Sequence, residues 1–188
     1  MRRFNAFFVL LSIVGTMTIL PAVITAQTGN VRVLLHATKP VSDSGFFSWD
    51  AWFVAPNITT APNKWLIVTG PRLQTKSWWS EFNFGAFVQG GKVTPSIDIR
   101  TSWPSPRKFS FWTNVEWNNF SSGYFFGEAN YKLPNGLGMV GIETEDNLPK
   151  TSLGPHVVIP FGSTAVTAAY QFQKEGDQLW FRLAVNFH

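Results

Sequence analysis

The sequence predicts an all-β chain, folded as an antiparallel up-and-down barrel, and three observations predict it. Apolar and polar residues alternate at every second position through nearly the whole chain after residue 30, the period of a strand that sends successive side chains to opposite faces. The alternating segments run to roughly ten residues each and are separated by short clusters rich in Gly, Pro, Asn and Ser. No segment carries a helical period, and no run of Gly, Ser or charge marks a linker, so the 188 residues hold a single domain after the leader.

The segments follow in order. Val31, Val33, Leu35 and Ala37 oppose Arg32, Leu34, His36 and Thr38, until Lys39-Pro40 and Ser42-Asp43-Ser44-Gly45 break the pattern. Phe47, Trp49, Ala51, Phe53 and Ala55 oppose Ser48 and Asp50, and a loop runs from Pro56 to Asn63. Lys64 to Leu73 is a strand by composition, with the poorest alternation in the chain. Phe82, Phe84, Ala86 and Val88 then oppose Glu81, Asn83 and Gln89 up to the Gly90-Gly91 turn, after which Val93, Pro95, Ile97 and Ile99 oppose Asp98 and Arg100. Phe109, Phe111, Val115 and Trp117 oppose Asn114 and Glu116; Phe125, Ala129 and Tyr131 oppose Tyr124, Glu128 and Asn130. Asn135-Gly136 readily supplies the positive φ angles of a tight hairpin turn. Val140 and Ile142 oppose Glu143 and Glu145; Leu153, Val157, Ile159 and Phe161 oppose His156; Val166, Ala168, Tyr170 and Phe172 oppose Thr167, Gln171 and Gln173. The last segment, Gln178 to His188, sets Leu179, Phe181, Leu183, Val185 and Phe187 against Arg182 and Asn186.

Residues 1–26 read as a cleaved secretory signal peptide: Arg2-Arg3, an apolar run from Phe4 to Leu20, and the small-residue end Ile24-Thr25-Ala26. The remaining domain, residues 27–188, holds 13 basic and 11 acidic residues, a net charge of +2 that gives no footing for nucleic acid. The absence of cysteine excludes disulfides and thiolate metal sites. Mean hydropathy of +0.02 is far from that of a helical membrane protein, yet aromatics reach 16 % and charged residues only 14 %.

Alternation alone does not say which face points inward. Three features favour a bilayer around the barrel. The segments match the length a tilted strand needs to cross a membrane. The apolar faces carry aromatics near strand ends, at Trp49, Trp78, Trp103, Trp117, Tyr131, Phe161 and Phe187, where membrane-interface girdles belong. The opposite faces carry mid-strand charges: Arg32, Asp50, Glu81, Asp98, Arg100, Glu116, Glu128, Glu143 and Arg182. The alternative is a secreted soluble β-barrel or sandwich with its apolar face turned inward, binding an apolar or sugar ligand.

The pattern from Val31 to His188 resembles the small outer-membrane β-barrel proteins of Gram-negative bacteria as a class. Its sharpest part is the closing strand: Phe181, Leu183, Val185 and Phe187 resemble the C-terminal signal read by the barrel-assembly machinery, with His188 standing one residue past the usual aromatic end. The resemblance implies a transmembrane barrel in the bacterial outer membrane, an even strand count with both termini periplasmic, and the lipid bilayer and the assembly machinery as partners. Eleven segments do not fit an even count. Ten strands starting at Phe46 is the expectation, with Val31 to Thr38 left as a periplasmic or lumenal segment, and twelve strands is the competitor.

Little in the sequence supports catalysis, and no enzyme activity or cofactor is expected. His36, His156 and His188 share no ligand spacing, which argues against a metal site. Tryptophans on the polar faces (Trp52, Trp79, Trp112, Trp180) fit either sugar stacking or filling of a narrow barrel. The lumenal charges are the one constellation with two readings: salt bridges made by Arg100 and Arg182 that plug the barrel, or a narrow porin-like, weakly cation-preferring pore lined by the excess acids. The function expected is that of a small pore or a structural membrane protein.

Overall fold

A computed structural model describes residues 29–103, 108–118, 122–147 and 150–187; the leader reading of residues 1–26 and the terminal His188 lie outside the described residues. The strands are β1 (Asn30–Pro40), β2 (Phe47–Ala55), β3 (Lys64–Gln74), β4 (Trp79–Gln89), β5 (Lys92–Trp103), β6 (Phe109–Asn118), β7 (Ser122–Lys132), β8 (Met139–Asn147), β9 (Lys150–Phe161), β10 (Thr164–Gln173) and β11 (Gln178–Phe187). One short 3-10 turn, Pro134–Gly136, joins β7 to β8; Asn135 takes φ 58° and Gly136 φ 70° there, the positive angles that Asn and Gly tolerate best.

Each strand pairs with its sequence neighbours, and β1 closes on β11, so the sheet is a closed barrel. Two expectations are corrected. The count is eleven, neither ten nor twelve, and the sheet is not antiparallel throughout: β1 runs parallel to β11, with Asn30 opposite Trp180 and Ala37 opposite Phe187. The reason is geometric. Val31 to Thr38 alternates as well as any other segment, and its two edges find partners in β2 and β11, so it enters the wall instead of leaving two unpaired strand edges. With an odd number of up-and-down strands the first and last run the same way, and the seam is parallel.

The barrel has two distinct ends. β1 begins at one of them, together with the 56–63 loop, the Gly90-Gly91 turn and the 174–177 turn. At the other lie the 41–46 and 75–78 connections, the Pro134–Gly136 turn, Gly162 and the end of β11. The first is called the mouth below and the second the closed end.

Two Gly-Pro pairs interrupt the ladders. Pairing between β3 and β4 runs to Thr69–Phe84 and resumes only at Arg72–Glu81, skipping Gly70-Pro71. Between β9 and β10 it runs to His156–Ala169 and resumes at Leu153–Phe172, skipping Gly154-Pro155. Proline cannot donate to the ladder. A Cβ on Gly70 would overlap the carbonyl oxygen of Phe82, and one on Gly154 that of Tyr170, so only glycine lets the neighbouring strand approach so closely. The first interruption explains the weak alternation of Lys64 to Leu73.

Side chains from strands that are not neighbours touch one another, which fixes the inward face: Arg32 of β1 reaches Tyr124 of β7 and Glu145 of β8, and Arg182 of β11 reaches Glu143 of β8. The inward face is the polar one. Asp50 and Asp98 are 0 % exposed, and Glu81, Arg100 and Glu143 are 1 % exposed. The outward face of β3 to β9 is apolar and open, as at Ile67, Phe84, Ile142 and Leu153; it is buried at the seam, where Val31, Val33, Leu183 and Val185 lie on it. A small apolar cluster inside, Trp52, Leu66 and Val68 with Leu34, Val54 and Phe87 against it, fills one wall near the mouth.

Candidate functional site

The interior holds two ion clusters, one beside each Gly-Pro interruption. In the first, Asp50 stands opposite Gly70, whose missing side chain leaves space for the carboxylate. Arg72, two residues on, places Nη1 3.5 Å from Asp50 Oδ2 and 3.2 Å from Glu81 Oε1. His36 Nε2 lies 3.6 Å from Asp50 Oδ1 and 3.7 Å from Glu81 Oε1. Trp52 donates its indole N–H to Glu81 Oε2 at 2.7 Å and stacks on His36 with ring centroids 4.0 Å apart. The Arg100 guanidinium lies 3.9 Å from the Trp52 ring centroid and donates two hydrogen bonds to Asp98, from Nε at 2.7 Å and from Nη2 at 3.1 Å, a fork that fixes both groups. Asn83 bridges the two halves, within 3.4 Å of both Glu81 and Asp98.

In the second cluster Glu143 stands opposite Gly154 and is the hub. It accepts from Arg182 and, at 2.8 Å, from Gln171 Nε2, and lies 3.1 Å from His156 Nδ1. His156 Nε2 meets Asn130 Oδ1, and Asn130 in turn donates to Glu128 at 2.9 Å. Ser152 completes the set by donating to Gln171 Oε1 at 3.1 Å.

These contacts also brace the seam. Arg32 and Arg182 stand directly opposite one another across β1 and β11, two like charges side by side. Each is answered from β8 across the barrel, Arg182 by Glu143 and Arg32 by Glu145 at 2.6 Å. Arg32 further donates to Tyr124 Oη at 3.0 Å and to the Pro56 carbonyl at 3.2 Å. The two carboxylates of one strand thus hold both strands of the parallel seam.

Towards the mouth the interior opens into a cavity of about 500 Å³. Arg100, Trp112, Phe126 and Arg182 line it, together with Lys64, Gln89 and Gln178 from strand ends at the mouth and Asn57 from the 56–63 loop.

Of the nine charges picked out from the sequence, all but Glu128 are buried, and Glu128 is half-buried. Arg100 meets Asp98, Arg182 meets Glu143, and Asp50 and Glu81 share Arg72. Among the described residues, Glu116 and Glu128 have no cationic partner within ion-pair distance and are held by the amides of Asn118, at 2.6 Å, and Asn130. Sequence reasoning left out Arg72, Glu145 and both cluster histidines. The tripeptides Gly70-Pro71-Arg72 and Gly154-Pro155-His156 were the available signal, each putting a basic side chain just past a ladder break.

Barrel closure also assembles what linear spacing hides: His36, Asp50 and Glu81 form one group of metal-ligand types, and Glu128, Glu143 and His156 another, each with ligand atoms within 4.8 Å of one another. An arginine already stands in each, Arg72 in the first and Arg182 in the second, and supplies the positive charge that a metal ion would bring.

The aromatics picked out as interfacial fall mainly at one end. Trp49, Trp78, Trp103, Tyr131, Phe161 and Phe187 are at the closed end and Trp117 is near the mouth; Trp103 is 47 % exposed and Phe161 63 %. Phe181, Leu183, Val185 and Phe187 share the outward face of β11, with Leu183 and Val185 buried and Phe187 exposed.

Comparison of the chain with protein-family models, with curated proteins and with solved structures gives no match.

Proposed function

We propose that the protein is a membrane-embedded barrel with a closed, ion-paired interior, a structural or binding protein of the bacterial outer membrane that is neither an enzyme nor an open pore. One observation carries this: the barrel is inside-out by the standard of a water-soluble protein. Its interior holds Asp50, Glu81, Asp98, Arg100 and Glu143 at 1 % exposure or less, while Ile67, Phe84, Ile142, Leu153 and Phe172 stand on the outside, each close to half exposed. A contiguous apolar exterior of that kind is costly in water and suits hydrocarbon. Strands of 9 to 12 residues match the span of a bilayer at a tilt, and a closed sheet leaves no edge in lipid. Exposed aromatics near both ends, Trp103 and Phe161 at one and Trp117 and Tyr170 at the other, suit the two membrane interfaces.

The packed clusters favour the plug over the porin-like pore. Asp50, Glu81, Asp98, Arg100 and Glu143, each at 1 % exposure or less, pack across the interior, and Arg100 and Arg182, both ion-paired, line the cavity. Taking the end of β11 as periplasmic, as in the class the sequence resembles, the mouth faces the cell exterior.

Membrane fractionation tests the reading. The protein is expected in the outer-membrane fraction, extractable only with detergent, and to migrate anomalously on gels until boiled. It is expected to be silent in planar bilayers. Recovery as a soluble monomer without detergent would overturn the membrane reading, and stable single-channel conductance would overturn the closed interior.

A further inference from the structure

We infer that the closed-end rim of β5, β6 and β7 binds the headgroup of an anionic phospholipid. The inference rests on the membrane reading and names the lipid that this part of the wall selects. The outward side chains here change character with depth. Lys108 stands just ahead of β6 and Lys132 ends β7, and the amide of Lys132 donates to the Lys108 carbonyl at 2.7 Å, which sets the two backbones together at the rim. One step into the wall Phe109 faces Tyr131, with ring centroids 5.3 Å apart, and Lys108 Nζ lies 5.7 Å from the Tyr131 centroid. Next come Phe111 and its β5 partner Trp103, both exposed, and beyond them Val115 and Ile99 continue the apolar wall. At about 3.3 Å per residue, Lys108 and Phe111 are about 10 Å apart along the strand, or about 7 Å along the membrane normal once the strand is tilted. The polar layer on each side of the hydrocarbon is about 5–8 Å deep, so lysines at the phosphates put these rings at the start of the acyl chains.

Charge distinguishes this rim from the mouth. Among the described residues the closed end carries Lys39, Lys76, Lys108 and Lys132 against one acid, Asp43, which lies in the β1–β2 connection away from β6 and β7. The mouth also carries four lysines, but with three acids, Asp146, Glu175 and Asp177, and Lys150 is paired there with Glu175. Lys108 is exposed and has no carboxylate within ion-pair distance among the described residues. Each lysine at a membrane surface favours an anionic headgroup by about fivefold. A soluble acidic partner answers the lysines and leaves the rings beside them in water. A zwitterionic lipid covers the rings, but its own cation competes for the phosphate. An anionic phospholipid supplies uncompensated charge at Lys108 and Lys132 and an acyl chain along Phe111 and Trp103, in the order in which the wall presents their counterparts.

The test is tryptophan quenching by lipids brominated on their acyl chains, since Trp103 lies beside the site. The folded protein is placed in phosphatidylcholine vesicles holding a minor share of either brominated phosphatidylglycerol or brominated phosphatidylcholine. Phosphatidylglycerol is expected to be preferred at least about fivefold, and the preference to vanish in about 1 M salt, where charges are screened beyond about 3 Å. Trp103→Phe should remove most of the salt-sensitive quenching. Lys108→Gln with Lys132→Gln should bring the preference below about twofold, while Lys92→Gln with Lys174→Gln, at the mouth, should leave it as in the parent. An embedded, heat-modifiable protein with no preference, a preference that survives the salt, or a closed-end variant that behaves like the parent would each overturn this inference alone. So would displacement of the brominated phosphatidylglycerol by an equal share of lipid A, which would assign the rim to the other leaflet. A protein that does not enter the vesicles overturns the membrane reading and this inference with it. Should the closed-end variant fail to fold, the salt dependence of the parent decides.

Discussion

Glu143→Gln isolates the charge that holds the seam. Glutamine keeps the shape of the side chain and an oxygen to accept from Gln171, so what is lost is the negative charge facing Arg182 and His156. Arg182 is 7 % exposed, and Glu143 is its one ion-pair partner among the described residues. Its opposite number across the seam is another cation, Arg32. The substitution therefore leaves a buried guanidinium with no counter-charge and a like charge beside it. Breaking a buried pair from one side costs about 3–5 kcal/mol, because the surviving charge has lost its water and gained nothing. Urea titration of the barrel in lipid vesicles, read by tryptophan fluorescence, should show that loss as a lower midpoint at unchanged slope. Replacing both partners, with Glu143→Gln and Arg182→Met together, should recover most of the stability, since an apolar side chain of similar length needs no counter-charge. A single-variant loss below about 1 kcal/mol, or a double variant as unstable as the sum of the two singles, would refute the reasoning: the first would mean that water already screens Arg182, the second that the pair is not coupled.

Other substitutions probe the remaining parts of the structure. Phe84→Arg, on the outward face midway along β4, should cost about 2–4 kcal/mol when the barrel is folded into vesicles, whereas a surface change in water would stay within about 0.5 kcal/mol; equilibrium folding in vesicles measures it. Gly154→Ala must push the β10 backbone away at Tyr170, and a loss of about 1–3 kcal/mol in the same titration is expected; a neutral result would show that the ladder break is not held by close approach. Trp52→Phe removes the indole N–H from the buried Glu81 carboxylate and should cost about 1–3 kcal/mol, with Glu81→Gln in the Trp52→Phe background costing less than in the parent.

The all-β class and the strand limits were legible because each strand lies between two unlike environments, and such a strand must alternate. The same argument could not count the wall correctly. Val31 to Thr38 carries the full strand pattern, but the even-number rule of the resembling class set it aside, and only the pairing of its edges with β2 and β11 restores it. The inward charges were readable one at a time from their positions opposite apolar residues. Their partners were not, since Arg32 meets Glu145 and Arg182 meets Glu143 across the barrel interior, at separations that no local pattern encodes. Arg72 escaped for a local reason: Gly70-Pro71 breaks the period just before it, so the residue that neutralises Asp50 and Glu81 sits in the one segment whose alternation fails. The cavity needs strand ends from all around the mouth and has no linear trace.

The parallel seam constrains how this barrel is made. Every other strand pair joins neighbours in sequence, so its two strands can pair as soon as both exist. β1 and β11 are the first and last strands of the wall, and their pairing brings Asn30 to Trp180 and Ala37 to Phe187. Such a contact carries the greatest loop-closure cost in the chain. Unpaired, both seam strands would present bare edges; paired, they set Arg32 beside Arg182, two like charges answered only by Glu145 and Glu143 of β8 among the described residues. The β8 carboxylates therefore tie the middle of the chain to both of its ends, and supply from across the interior the counter-charges that a seam with two facing arginines requires.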